Sequence, residues 1–320
     1  MSPSDITAIR LQGNEHEVDS LAACIQAAMT YWGHSVSHEY VAGLSGSAFS
    51  PALSIDRTCT AWWMESASDA RIAFTGHGLG FEVERSPVGN AKSDKAVSTF
   101  ARHAADAVAR GGVVLCSARR RWAIATGWSD DLSHLSLATL ATARGPEKSK
   151  TATPWTAMYV LRPCERSLSR GEALREAIRF GAEVAAGTYE PEGFSYGGRL
   201  YDAWLARLSK EHFCPECGQN GWKCAERTAS RARGTQLAAV GFLKRAKAFL
   251  PDVNGAGRVE KIAASYAAMA TKLTPYVAGC GLNGIWSDPL KRARYAQDIA
   301  EVRHLHHTAA LRLLLLACLL

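Results

Sequence analysis

The chain of 320 residues carries a formal net charge of +7, and 47% of its residues are hydrophobic. This length is sufficient for two domains, and the composition is that of a soluble globular protein. The two short basic clusters, at residues 119–121 and 291–294, contain no interleaved aromatic side chains. We therefore expect no nucleic-acid partner.

The cysteine content and the two ends of the chain indicate a cellular compartment. Nine cysteines, an odd number, are spread over the chain, and residues 1–17 lack the basic and then apolar segments of a signal peptide. Both observations favour free thiols in a reducing cytoplasm. The apolar run at residues 313–320 is too short to span a bilayer, so we expect a buried terminal helix and no transmembrane segment, with interfacial membrane contact as the alternative. The sequence leaves a homodimer open.

The first half of the chain predicts helices followed by a sheet of several strands. Apolar residues recur every three or four positions in residues 18–33, which predicts an amphipathic helix that Asp19 or Ser20 caps and Gly33 ends. The glycine-rich segments 43–49 and 76–80 are predicted as a loop and a turn. A further helix is predicted at residues 92–110. Five strands are predicted, at residues 80–83, 113–116, 122–126, 135–142 and 158–161.

The second half is predicted to be mostly helical. Strand patterns end near residue 163, and a helix begins at Ser169 or Arg170. Asp288 is predicted to cap a long terminal helix. Other helical patterns occupy residues 196–209, 235–250 and 257–273. These patterns predict an α+β fold, with a first domain at residues 1–163 and a helical accessory domain at residues 164–320.

The predicted first helix carries two candidate nucleophiles. A cysteine peptidase or acyltransferase needs a thiolate at a helix N-terminus, where the helix dipole lowers the pKa of the thiol. It also needs a histidine that exchanges protons with this nucleophile. Ser20 lies in the first turn, and Cys24 lies one turn further along, on the apolar side. His16 precedes the helix and His134 follows a predicted strand, so each is a candidate base.

A zinc-knuckle pattern lies in the second half of the chain. Cys214 and Cys217 stand in a Cys-Pro-X-Cys-Gly turn, whose two thiolates converge on one metal ion in zinc knuckles. Cys224 is a third candidate ligand, and His212 or Cys280 is a fourth. The pattern predicts a structural zinc as the candidate cofactor, with free thiols in a helix–helix loop as the alternative. A catalytic zinc is not expected, because the sequence has no His-Glu-X-X-His motif.

The first helix and one later strand together resemble a known family. Residues 19–24, with Met29 and the Tyr-Trp-Gly at residues 31–33, resemble the opening helix of the double-glycine leader peptidases of bacteriocin exporters. They are also similar to the N-terminal domain of the butirosin biosynthesis protein H group, which acts in acyl transfer. Residues 122–131 resemble the segment that follows the family's catalytic histidine. The resemblance covers roughly residues 15–163 and implies a papain-like fold, in which an N-terminal helix packs on an antiparallel sheet.

The resemblance places different residue types at the family's catalytic positions. Ser20 falls at the position of the catalytic cysteine, Cys24 at a noncatalytic second cysteine, and Arg121 at the catalytic histidine. Trp122 and Asp130 complete this degenerate set, although Asp130 comes earlier than the family's aspartate. The resemblance therefore implies a noncatalytic protein that binds a peptide or a small acyl-type ligand.

Two alternatives follow from the same residues. The first is an acyltransferase or hydrolase of the butirosin H type, which would use Ser20 or Cys24 with one of the two candidate histidines. The second is a structural or partner-binding helical protein that contains the zinc knuckle.

Overall fold

The computed structural model describes most of the chain. The described residues are Ile6 and residues 9–12, 18–49, 53–54, 69–86, 94–118, 121–129, 135–140, 147–149, 155–188, 194–209, 221–250, 253–277 and 280–320. The helices are α1 (Ser20–Tyr31), α2 (His38–Ser45), α3 (Asp69–Leu79), α4 (Asp94–Ala109), α5 (Arg170–Ala186), α6 (Gly197–Leu208), α7 (Gly221–Lys247), α8 (Val253–Leu273), α9 (Asn283–Trp286) and α10 (Pro289–Ala317). The strands are β1 (Leu53–Ser54), β2 (Phe81–Arg85), β3 (Val113–Ala118), β4 (Arg121–Trp128), β5 (Leu135–Ala138), β6 (Glu147–Ser149), β7 (Trp155–Pro163) and β8 (Phe194–Ser195).

The main sheet is antiparallel throughout its described strands, which lie in the order β2-β7-β3-β4-β5-β6. Strand β7 pairs with β2 and β3 on its two sides, and Leu161 lies opposite both Val83 and Val113. Strands β1 and β8 form a separate two-stranded pair. The predicted α+β class is therefore confirmed.

The chain divides into two compact units. The first unit comprises residues 1–15, 19–41 and 67–169, and it contains the main sheet with α1, α3 and α4. The second comprises residues 16–18, 42–66 and 170–320, and it contains α5 to α10. The second unit thus combines segments that are far apart in the sequence.

Helix α1 forms where the periodicity predicts it. Leu21, Ile25 and Met29 are buried, and the helix packs on β4 within the first unit. Its end is fixed by Gly33, whose φ of +84° lies in the left-handed region that glycine adopts without strain.

Two glycine-rich segments differ from the prediction in part: residues 46–49 and residue 80 form turns as predicted, whereas the residues before them are helical, because their glycines allow close packing inside helices. Residues 43–45 belong to α2, and a Cβ added at Gly43 would lie 1.9 Å from Cδ2 of Phe242. Residues 76–79 belong to α3, where a Cβ at Gly76 would lie 2.3 Å from the carbonyl oxygen of Phe81. Close contact with a neighbouring group therefore outweighs the low helix propensity of glycine at both positions.

The helical prediction for the second half holds, with one helix longer than expected. Helix α7 begins at Gly221, well before the predicted start at residue 235. Helix α10 begins as predicted, because the Asp288 carboxylate accepts hydrogen bonds from the backbone amides of Leu290 (2.9 Å) and Lys291 (3.3 Å). Among the described residues, no helix is both long enough and apolar enough to cross a membrane.

Candidate functional site

The start of α1 is fixed by a capping residue. The Asp19 side chain accepts a hydrogen bond from the backbone amide of Ala22 at 2.8 Å, so Asp19 is the N-cap that the sequence suggested. Ser20 is consequently the first residue of the helix.

The hydroxyl of Ser20 contacts strand β4. Ser20 Oγ accepts a hydrogen bond from the backbone amide of Trp122 at 2.8 Å, although the two residues are 102 positions apart. Both residues are buried, with 2% of Ser20 and 5% of Trp122 exposed. The structure therefore brings together two positions that the family resemblance assigns to the catalytic region.

The Trp122 amide lies near the start of β4. Trp122 lies opposite Ser117 of β3, whereas the described part of β5 pairs with β4 only from Ile124, opposite Ala138. A buried backbone amide without an acceptor is costly. The Ser20 hydroxyl supplies that acceptor and ties the first turn of α1 to the start of β4.

The other members of the predicted catalytic set are placed as follows. Cys24 is fully buried in α1, on its apolar face. Arg121 is the first residue of β4, and its backbone pairs with Ala118. Asp130, His16 and His134 lie outside the described residues.

A histidine that the sequence analysis did not single out lies near the start of α1. His38 begins α2, and its Nε2 lies 3.3 Å from the backbone carbonyl oxygen of Asp19, the residue before Ser20. No motif connects His38 to the first helix, because the contact joins two helices across a turn. Only the tertiary structure could reveal it.

A polar cluster continues from Trp122 across the sheet. The Trp122 ring lies 5.4 Å from that of Tyr159, whose hydroxyl donates to Asp69 Oδ1 at 2.6 Å. The Arg85 guanidinium donates to Asp69 Oδ2 at 2.8 Å. The hydrogen bond from Tyr159, with help from Arg85, lowers the pKa of Asp69, while burial raises the pKa of Tyr159. Asp69 is therefore an ionised carboxylate that links α3 to β2 and β7. It is not suited to exchange protons with a substrate.

Of the predicted zinc ligands, the structure describes Cys224 and Cys280. Cys224 is buried in the first turn of α7, and Cys280 is exposed. His212, Cys214 and Cys217 lie outside the described residues. Within the described ranges, no group of three or more His, Cys, Asp or Glu side chains is arranged to hold a metal ion. The zinc knuckle stays a prediction.

The comparisons with known proteins assign no family and no function to this site. No model of a known protein family matches the sequence, and no characterised protein is significantly similar to it.

The Ser20 contact predicts a measurable loss of stability. In Ser20→Ala the buried amide of Trp122 loses its acceptor, so we expect the free energy of unfolding to fall by about 1–3 kcal/mol. Urea denaturation measures this change. The control is Thr30→Ala on the same helix, because the exposed Thr30 hydroxyl donates within the helix, to Gln26 O at 3.0 Å. Equal stabilities of Ser20→Ala and Thr30→Ala would contradict a structural role for the Ser20 hydroxyl.

Proposed function

We propose that this chain is a noncatalytic cytoplasmic relative of the papain-like cysteine peptidases, and that its N-terminal domain binds a peptide or a small acyl-type ligand. The proposal is carried by one observation: the side chain at the nucleophile position, Ser20, is buried and accepts a hydrogen bond from the backbone of Trp122. The position that the resemblance assigns to the histidine base, Arg121, adjoins the same contact.

The chemistry of nucleophilic catalysis supports this proposal. An alcohol attacks a carbonyl carbon only when a base removes its proton and the substrate can reach its oxygen. The Ser20 oxygen is 2% exposed and is used as an acceptor for a strand amide. Cys24 is fully buried on the apolar face of α1, where a small cysteine serves as a packing residue.

An enzymatic function is the second candidate, and the position of His38 favours it. Its Nε2 donates to the carbonyl oxygen of Asp19 at 3.3 Å, one residue from Ser20, so the nitrogen that would act as the base is Nδ1. An acyltransferase or hydrolase of the butirosin H type would then use Ser20 or Cys24 as nucleophile and His38 as base. This function requires that substrate reach a side chain that is buried in the described structure.

Reaction with electrophiles separates the two candidates. We expect a fluorophosphonate to leave Ser20 unmodified, and iodoacetamide to leave Cys24 unmodified, in the native protein, as measured by mass spectrometry of peptides. Three exposed cysteines provide an internal positive control for iodoacetamide, and two further buried ones provide a negative control. These are Cys164, Cys280 and Cys318, and Cys116 and Cys224, respectively. Burial also raises the pKa of the Cys116 thiol, which slows its alkylation further.

A covalent adduct on Ser20 or Cys24 that forms in the native chain and is lost in His38→Gln would overturn the noncatalytic proposal and support the enzyme. The binding function is tested separately, by fluorescence anisotropy with a labelled peptide that ends in Gly-Gly and with its N-acylated form. Saturable binding of either probe is expected, and the absence of binding by both would contradict the proposed ligand class.

A further inference from the structure

The C-terminal end of α10 and the turn that follows it expose a row of leucines. Leu311, Leu315 and Leu319 follow one another at intervals of four residues, and 49%, 58% and 63% of their surfaces are exposed. A spacing of four places Leu311 and Leu315 on one side of α10, and Leu319 follows in the turn just beyond Ala317, the last residue of the helix. The opposite side of the same turns is buried, since Leu313 and Leu316 are fully inaccessible. We call the three exposed residues the leucine stripe.

Basic side chains border the leucine stripe. The Arg312 guanidinium donates to Ser265 Oγ at 3.0 Å and to the carbonyl oxygen of Lys261 at 3.4 Å, which places α8 beside this end of α10. Lys261 and Arg258, one turn earlier on α8, are both exposed. The intervening Glu260 forms an ion pair with Lys247, so its charge is already compensated. The border of the stripe is therefore positively charged.

We propose that the leucine stripe inserts into the headgroup region of an anionic lipid bilayer, while Arg258, Lys261 and Arg312 contact the lipid phosphates. Exposed leucines on one helix face with adjacent Lys and Arg are what an interfacial membrane contact requires. Each basic residue near an anionic surface adds to the attraction. The contact is peripheral and involves no membrane-spanning segment.

The size and charge of this surface favour a bilayer over a second copy of the chain. A stable protein–protein interface takes about 20–30 residues from each partner, whereas the leucine stripe offers three large apolar side chains. Symmetric packing of two stripes would also bring their basic borders close together, which is unfavourable. A bilayer with anionic lipids accepts the same few leucines and attracts the same charges.

Vesicle sedimentation of the full chain tests the proposal. We expect the protein to sediment with vesicles of phosphatidylcholine and phosphatidylglycerol, and to do so much less with phosphatidylcholine alone. The triple variant Leu311→Ser/Leu315→Ser/Leu319→Ser should bind the anionic vesicles roughly tenfold more weakly. Leu290→Ser is the matched control, because Leu290 is 82% exposed at the other end of α10, outside the stripe. It should bind as the unaltered protein does.

A second variant tests the charges without altering the leucines. Arg258→Gln/Lys261→Gln should weaken sedimentation with anionic vesicles, and added salt should weaken binding of the unaltered chain in the same way. Circular dichroism of each variant establishes that it is folded. The proposal is overturned if the unaltered chain sediments with neither vesicle type. It is also overturned if the triple variant binds the anionic vesicles as tightly as the unaltered chain does. It is also overturned if light scattering shows a dimer that the triple variant abolishes, because the stripe is then a contact between two copies.

Discussion

Replacing Phe49 with alanine should lower the free energy of unfolding of the second unit by about 3–5 kcal/mol. The ring is fully buried, and its centroid lies 5.6 Å from that of Phe242 and 6.2 Å from that of Tyr266, both edge to face. Its removal loses the burial of a large aromatic side chain and leaves a cavity that the surrounding rings fill only in part. Urea denaturation followed by circular dichroism measures the change.

The control for this experiment is Phe249→Ala. Phe249 is 39% exposed, and Cζ of the Arg170 guanidinium lies 5.7 Å from the centroid of its ring. We expect its loss to cost about 1 kcal/mol or less. A cost for Phe49→Ala that does not exceed the cost for Phe249→Ala would contradict the central position of Phe49.

A partner substitution at Gly181 sharpens the same prediction. A Cβ at Gly181 would lie 2.3 Å from Cδ2 of Phe49, so Gly181→Ala alone should destabilise the chain by about 1–3 kcal/mol through overpacking. With Phe49 already replaced by alanine, this contact is absent. The alanine at position 181 should then stabilise α5 by up to about 1 kcal/mol, because alanine favours a helix over glycine. If Gly181→Ala has the same effect in both backgrounds, the two residues are not coupled as the structure implies.

Acidification should weaken the second unit through His306. This side chain is 1% exposed, and its Nε2 lies 3.0 Å from the carbonyl oxygen of Ala185. Burial lowers the pKa of His306 to about 4, because the protonated ring would lose its hydration; the hydrogen bond to Ala185 opposes this shift. The unfolded chain, with an ordinary histidine pKa near 6.5, therefore takes up the proton first as the pH falls.

The sign and the pH window follow from these two pKa values. The contribution of neutral His306 to stability is complete above about pH 6.5 and is lost progressively as the pH falls toward 4. Between pH 7 and pH 5 the expected loss from this one group is about 2 kcal/mol. Urea unfolding at the two pH values measures it, with each variant compared with the unaltered chain so that the other titrating groups cancel.

Two variants isolate the contribution of His306. His306→Gln retains a donor for Ala185 O, but its side chain gains no proton between pH 7 and pH 5. The free energy of unfolding of this variant should therefore fall by about 2 kcal/mol less over this range than that of the unaltered chain. His304→Gln, which replaces an exposed histidine on the same helix, is the control variant. If His306→Gln and the unaltered chain lose the same free energy between pH 7 and pH 5, the group is not buried as a neutral ring.

The candidate site was predictable in part. Residue types and helical periodicity were sufficient to place Ser20 at the start of a capped helix, and the resemblance pointed to the strand that begins near Trp122. The hydrogen bond between them, and the approach of His38 to Asp19, had no signal in the sequence. Both depend on how separate elements pack, and neither spacing nor composition encodes that packing directly.

The sequence by itself determined the local structure. Capping by Asp19 and Asp288 sets the starts of α1 and α10, and the apolar periodicity sets which faces of these helices are buried. The sequence determines both, because these features depend on residues that are close together in the chain. Tertiary structure alone decided that Gly43 and Gly76 belong to helices, since nearby groups, Phe242 and the Phe81 carbonyl, leave no room for a Cβ there. It also decided that the Ser20 hydroxyl is a buried acceptor rather than an exposed nucleophile, because that outcome depends on a strand amide 102 residues away.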